Sequence, residues 1–200
     1  MNKYEERSIN AYNKKADNYD NTFDGQFTYK YKTKLIELIH IPEDSKLLDI
    51  ACGNGRLLQM LSRKQTFQGF GCDISENMIK IAKQNNPSMT FLQSPCDALP
   101  FKDNTFDTVT VSVAFHHFPN INGFAKEALR VLRPKGTLYI SEVYYPLVLR
   151  IIFNPFIRFS RAGDLKFYSP KEICRLLKDT GFQKESVFID GNIQILQGQK

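Results

Sequence analysis

The residues best placed to do chemistry are three aspartates and a histidine pair. Asp49 precedes a run of small residues, Ala51-Cys52-Gly53-Asn54-Gly55. Such a turn brings bare backbone, and the start of the next helix, up to a ligand. Asp73 stands eighteen residues after Gly55, where a carboxylate can accept hydrogen bonds from both hydroxyls of a ribose. Asp97 follows Cys96 in the run CDALPF. His116 and His117 titrate near neutrality, so either could serve as a general base or form part of a pocket wall. A nicotinamide-type turn wants a third glycine three residues after Gly55. Leu58 stands there, so the turn points elsewhere.

Positioning these groups requires strands that end where the groups begin. Apolar runs predict strands over 47–52, 67–73, 89–93, 105–112 and 137–142. Helical spacing predicts helices over 56–63, after Ser75 as cap, and from Ile121 through Leu132. Pro134-Lys135-Gly136 reads as a turn. Ser169-Pro170-Lys171-Glu172 has capping-box form, with Ile173, Leu176 and Leu177 facing inward and Gly181 closing that helix. Asp190-Gly191 between apolar runs predicts a final hairpin. Strand alternating with helix gives an α/β fold: a Rossmann-like, seven-stranded, mostly parallel sheet with an antiparallel final hairpin and helices on both faces.

Two segments flank this pattern. Residues 1–42 read as a helical arm or lid, with Tyr31, Leu35, Leu38 and Ile39 at helical spacing and Pro42 ending the helix. Residues 144–166 form an apolar insertion with Arg150, Arg158 and Arg161 interspersed. Pro146 and Pro155 bound two short pieces there. A core-packing helix, an acceptor lid, a dimer surface and a membrane-surface contact are all open to it.

Composition bounds the rest. The chain has 200 residues, 42% hydrophobic and 24% charged, enough for one domain with a substantial core. No apolar run is long enough to cross a bilayer, so stable membrane insertion is not expected. The polar N-terminus lacks the apolar centre of a signal peptide. Four dispersed cysteines without a C-x-x-C suggest reduced thiols in the cytoplasm, and no metal site is expected. The net charge of +6 would suit an anionic partner, but the basic residues are scattered like ordinary solvated charge.

Six segments, LLDIACGNG, GCDIS, CDALPF, FDTVTVSVAFHHF, ALRVLRPKGTLYISE and YSPKEICRLLKDTGF, occur in this order and at suitable spacing. Together they resemble the class I S-adenosylmethionine-dependent methyltransferases, in particular the small-molecule group with the ubiquinone/menaquinone methyltransferases. The likeness covers roughly residues 10–198 and implies one methyltransferase domain over 1–200. It implies that Asp49, Ala51 and Gly53 hold the methionine portion of S-adenosylmethionine and that Gly55 also belongs to the cofactor-binding turn. Ala51 replaces the usual first glycine, a mild departure. Asp73 would bind the ribose and Ile74 the adenine face, where Met78 packs unless it belongs to the core. Asp97 and the Ala98 N–H would meet the adenine edge. Ser112 would lie near the methionine portion, and Tyr12 and Tyr19 would close over the cofactor. The family places acceptor-side residues where His116 and His117 stand.

The cofactor brings its own activated methyl group, so the protein must chiefly hold a small acceptor in line with it. Methyltransferases acting on amino groups of bases often carry Asn-Pro-Pro-aromatic after the fourth strand. Ser112-Val113-Ala114-Phe115 stands there instead. The apolar insertion and the aromatic arm point to a small, partly apolar acceptor. RNA modification and cofactor binding without catalysis are the alternatives. The oligomeric state is not legible.

Overall fold

The computed structural model describes residues 2–200. The chain enters through α1 (Lys3–Lys15), a 3₁₀ turn (Ala16–Asn21) and α2 (Phe23–Leu38). Asn2 and Glu5 form a capping box at α1, and the Thr22 side chain caps α2. α2 stops at Leu38 because Ile39 is already extended, four residues before Pro42 could act. Its inward face is Thr28, Tyr31, Lys32, Leu35 and Ile36. Leu38, at the same helical spacing, is exposed.

Then strands and helices alternate: β1 (Lys46–Ile50), α3 (Arg56–Ser62), β2 (Gln68–Asp73), α4 (Glu76–Asn85), β3 (Thr90–Gln93) and β4 (Phe106–Ser112). They continue through α5 (Ile121–Val131), β5 (Leu132–Val143), α6 (Leu147–Ile157), α7 (Pro170–Thr180), β6 (Gln183–Asp190) and β7 (Ile193–Gln199). The seven strands lie in the order β3-β2-β1-β4-β5-β7-β6. The first five run parallel, and β7 is antiparallel to both β5 and β6. The mostly parallel sheet with its final hairpin is therefore as the sequence predicts.

Two local expectations fail. Pro134-Lys135-Gly136 is not a turn between elements but a bulge inside β5, where the register against β4 shifts between Phe106 and Thr108. Lys135 takes φ +69°, and the chain end pairs with the bulge through Lys135 N–H to Lys200 O and Lys200 N–H to Gly136 O, each 2.9 Å. That pairing keeps the stretch in the sheet. The final hairpin also turns one residue later than expected. Asp190 pairs with Ile193, so Gly191 (φ +56°) and Asn192 make the turn.

β1 is covered on both faces, as a central parallel strand must be. Leu48 and Ile50 pack with Val109, Val111, Phe124 and Leu177 on one side. Leu47 packs with Tyr31, Leu35, Leu57 and Leu58 on the other. Leu58, the residue in place of a third glycine, thus belongs to the core. α7 has the expected capping box at Ser169 and Glu172, and Gly181 closes it at φ +114°. The four cysteines are free, as expected of dispersed thiols.

α6 departs from the pattern. Pro146 caps it, and Pro155 lies within one continuous helix rather than between two pieces. It contributes no buried residue, so it is not the core-packing helix that its apolarity allowed.

Candidate active site

The strand order reverses between β1 and β4, and a cavity opens beyond the carboxyl ends of the strands around that point. It encloses about 960 Å³ of empty space, mouth included. Asp49 and Ala51 come from the end of β1, Asp73 from β2, Ser94 from just past β3, and Ser112 from β4. The arm closes over them with Tyr12 and Tyr19.

The glycine turn is built for close approach. Ala51 takes φ +55° and Gly53 φ +53°, both in the left-handed region. For alanine this conformation costs about 1–2 kcal/mol, so replacing the usual glycine is less mild than it looked. A Cβ on Gly53 would meet nothing within 4 Å, because that side of the backbone faces the cavity. Asp73 braces the turn: its Oδ2 accepts from Gly53 N–H and its Oδ1 from Ser75 N–H, each at 2.8 Å. Gly55 does not line the cavity. Its φ of +77° and close neighbours explain it, since a Cβ would come within 2.6 Å of Asn86 Nδ2. Gly55 packs α3 against α4, outside the cavity lining.

Asp97 and Ala98 also stay outside the cavity lining. Asn120 Nδ2 donates to Asp97 Oδ2 at 2.8 Å and holds it at the start of α5. Ser94, Pro95 and Cys96 occupy that rim instead. Ile74 and Met78 both line the cavity, and Met78 is also fully buried, so its two readings coincide.

Opposite charges meet in the cavity. Asp49 is buried and accepts from Thr110 Oγ1 at 2.8 Å. Burial pushes its carboxyl up to about 7, against the pull of Thr110 and Lys32. Lys32, on α2, also lines the cavity. Burial lowers it to about 8 although Asp49 and Asp20 favour its charge. Lys32 was missed in the sequence because it sits among ordinary surface lysines, Lys30 and Lys34. Only the inward face of α2 singles it out.

The arm is pinned to the sheet. Asn13 Oδ1 accepts from Ser75 Oγ at 2.6 Å, and Asn54 Nδ2 donates to Asp20 Oδ1 at 2.8 Å. Tyr12 and Tyr19 lie with ring centroids 6.1 Å apart. Burial raises both hydroxyls, Tyr12 well above its ordinary value and Tyr19 to about 12, so both are neutral phenols.

The histidines divide their work. Val113, directly after β4, takes φ +51°, an uncommon conformation for a β-branched residue, and the chain then turns into a 3₁₀ helix over Phe115–His117. This places His117 at the cavity wall and His116 behind it, with ring centroids 4.1 Å apart. His116 Nδ1 lies 2.9 Å from Glu142 Oε1, and its Nε2 lies 3.5 Å from Asp164 Oδ1. Burial disfavours its charge, but Glu142 and Asp164 outweigh that and raise it to about 10. His116 is thus a buried imidazolium. Burial, and then the His116 charge, lower His117. Tyr12 Oη lies 3.0 Å from His117 Nε2.

Asp164 Oδ1 lies 2.9 Å from His117 Nδ1, yet off the line of a ring hydrogen bond, so Nδ1 has no hydrogen-bond partner. Burial would raise Asp164, but both histidines hold it well below the usual carboxylate range. His116, His117 and Asp164 could ligate a metal on position alone. Glu142 and Asp164 gave no sequence signal, since one sits inside a strand and the other in a loop far along the chain.

Asp73 and the open backbone at Gly53, where an added Cβ would meet nothing within 4 Å, offer a partly buried carboxylate and unobstructed main chain side by side. That combination suits a nucleoside-bearing amino acid.

A family model described as a methyltransferase domain matches residues 48–140. The demethylmenaquinone methyltransferase of Thermotoga maritima is 30% identical over 176 residues, covering 77% of each chain. Among solved structures, the methyltransferase bound to the Trm112 activator in Haloferax volcanii superposes with a TM-score of 0.79 at 19% identity, over 96% of this chain and 95% of that one. An S-adenosylmethionine-dependent methyltransferase of T. maritima gives 0.77 at 21% identity, over 96% and 99%. These structures share the fold. The chain belongs to the class I S-adenosylmethionine-dependent methyltransferases. It is a transferase whose cofactor is S-adenosylmethionine. Among the described residues, no helix is long and apolar enough to cross a membrane.

Proposed function

We propose that S-adenosylmethionine lies in this cavity and that the acceptor is a small, partly apolar molecule of the aromatic or quinone kind. The observation that carries the site is the partly buried Asp73 carboxylate beside the unobstructed backbone of Gly53 at the carboxyl ends of the strands. Asp73 holds the ribose, with Ile74 and Met78 against the base. Ala51 and Gly53 let the methionine portion approach the backbone. Asp49 faces its ammonium group and Lys32 its carboxylate. When bound, the cofactor supplies a methyl group on a sulfonium, which needs no further activation.

The acceptor wall is Tyr12, His117, Phe118 and Pro119. Apolar lining suits an apolar acceptor, and the relatives named for demethylmenaquinone act on a quinone. A hydroxyl or carbon acid must lose its proton as it attacks. The Tyr12 hydroxyl donates its own proton to His117 Nε2 as it accepts the acceptor's, and Asp164 beside Nδ1 steadies the imidazolium that forms. His116 is a positioning residue, since Glu142 holds it behind His117. Residues 1–42 act as the lid.

Around the end of α5 the arginines offer RNA little free charge. Arg130 is bound to Glu127 and Asp103, and Arg133 to Asp107, so that cluster is internally paired. Incubation with methyl-labelled S-adenosylmethionine and a panel of quinols, catechols, amines and RNA tests the reading. Label should enter the quinols or catechols. Label in RNA alone, or in nothing while the cofactor binds tightly, would contradict it.

A further inference from the structure

The segment after β5 carries eight of the fourteen exposed large apolar side chains among the described residues. Leu147, Val148, Ile151, Ile152, Phe156 and Phe159 are each between 50% and 74% exposed. Their spacing makes one stripe along α6 and the turn after it. The opposite side is fastened to the protein. Arg150 donates to Tyr145 O at 3.1 Å and to Glu172 Oε2 at 3.0 Å, and Asn154 bonds both N–H and C=O of Phe167. The helix is therefore held in place with its apolar stripe outward. A soluble surface does not ordinarily carry such a patch without a use for it.

Charge selects the occupant. No acidic residue occurs between Val143 and Gly163. Arg158 and Arg161 are exposed beside the stripe, and neither makes an ion pair among the described residues. A second copy meeting this face about a twofold axis would bring the same cations together with no acid between them. An acceptor lid is not favoured either, since no α6 residue lines the cavity. An anionic lipid surface satisfies both features, with the stripe in the acyl boundary and the arginines at the phosphates. At 11 residues, α6 is about 16 Å long, suited to lying in the interface and too short to cross.

We propose that α6 is an in-plane docking helix for an anionic lipid bilayer. This is separate from the assignment of acceptor and holds whether or not that assignment does. It has a geometric consequence for the enzyme. Arg7 Nη1 donates to Arg158 O at 3.2 Å and Ser8 Oγ to Ala162 O at 2.9 Å, so the docked segment is tied to α1. Ser8 and Tyr12 of α1 line the cavity. Docking would set the arm side of the cavity beside the lipid, where an apolar acceptor dissolves.

The test is co-sedimentation of the full chain with vesicles. Phosphatidylglycerol–phosphatidylcholine vesicles should retain wild type at least about tenfold better than phosphatidylcholine alone, and about 0.5 M salt should weaken that preference. Ile151→Asp with Phe156→Asp should reduce binding at least about tenfold. Arg158→Glu with Arg161→Glu should remove the preference for anionic lipid. All these residues are exposed, so circular dichroism and cofactor affinity should match wild type in both variants. Wild type that stays in solution, or variants that bind like wild type, would overturn the proposal. So would a dimer in light scattering that the aspartate variant dissolves while vesicles bind nothing, since the stripe would then belong to a second copy.

Discussion

The two walls of the cavity are built on different principles. The wall proposed for the cofactor is local. Asp49, Ala51 and Gly53 lie within five residues, and Asp73 reaches back to the Gly53 N–H across one strand pair. The wall proposed for the acceptor is assembled from afar. Tyr12 comes from the arm, His117 from the end of β4, Glu142 from β5 and Asp164 from beyond α6. A wall of adjacent backbone is fixed by the sheet, and changes to its side chains act on ligand affinity. A wall of distant charges must be held by its own interactions, and changes there act on stability as well as on turnover.

The strongest challenge to this contrast is His116→Gln. A neutral amide would leave Glu142, which is fully buried, without its cation. Losing one partner of a buried pair costs roughly 3–5 kcal/mol, and urea denaturation should show it. The pH dependence follows from the sign. His116 is raised to about 10 in the folded chain, so its contribution is fully present below its ordinary value near 6.5 and is lost as pH rises through about 10. The stability gap between wild type and variant should narrow across that window. A constant gap would mean that His116 only fills space.

Next in size is Tyr12→Phe, which removes the hydroxyl bonded to His117 Nε2. On an acceptor that must lose a proton, kcat should fall about 10²-fold with less change in cofactor affinity. An effect on affinity alone would move Tyr12 to the cofactor wall.

Asp49→Asn works on the other wall and in the opposite sense. The buried carboxylate is raised to about 7 in the folded chain, so it costs stability progressively as pH climbs from near 4 through 7. The amide variant of the ligand-free protein should be more stable at pH 8, by roughly 1–3 kcal/mol. It should bind S-adenosylmethionine more weakly. Lower stability at pH 8 would show that Lys32 compensates the charge more fully than its own depressed value implies.

The smallest effect is at Ala51→Gly. Relief of the φ of +55° is partly offset by the greater freedom of glycine in the unfolded chain, leaving about 0.5 kcal/mol of stabilisation. A thermal melt with unchanged cofactor affinity would support this, whereas destabilisation would mean the alanine methyl packs usefully against the core.

The same contrast explains what the sequence revealed. The alternating strands, the glycine turn and Asp73 were legible because each depends on residues close in the chain. Gly55 lies outside the cavity lining, and a glycine approached by a ligand and one approached by Asn86 look alike in one dimension. Asp97 lies outside the cavity lining and is bonded to Asn120, a contact twenty-three residues off that the sequence does not announce. The helix at 147–157 was legible as apolar but not as outward-facing, since its periodicity gives a stripe without saying what lies against it. Lys32, Glu142 and Asp164 needed the fold itself.

The central claim is that the turn, braced by Asp73, forms the cofactor wall. Calorimetric titration of S-adenosylmethionine into Asp73→Ala tests it most directly. Lost hydrogen bonds to a charged group are worth about 1.5–3 kcal/mol each, so affinity should fall by roughly 10- to 150-fold, with the far-ultraviolet circular dichroism of wild type retained. A correctly folded variant that binds the cofactor as tightly as wild type would contradict the account.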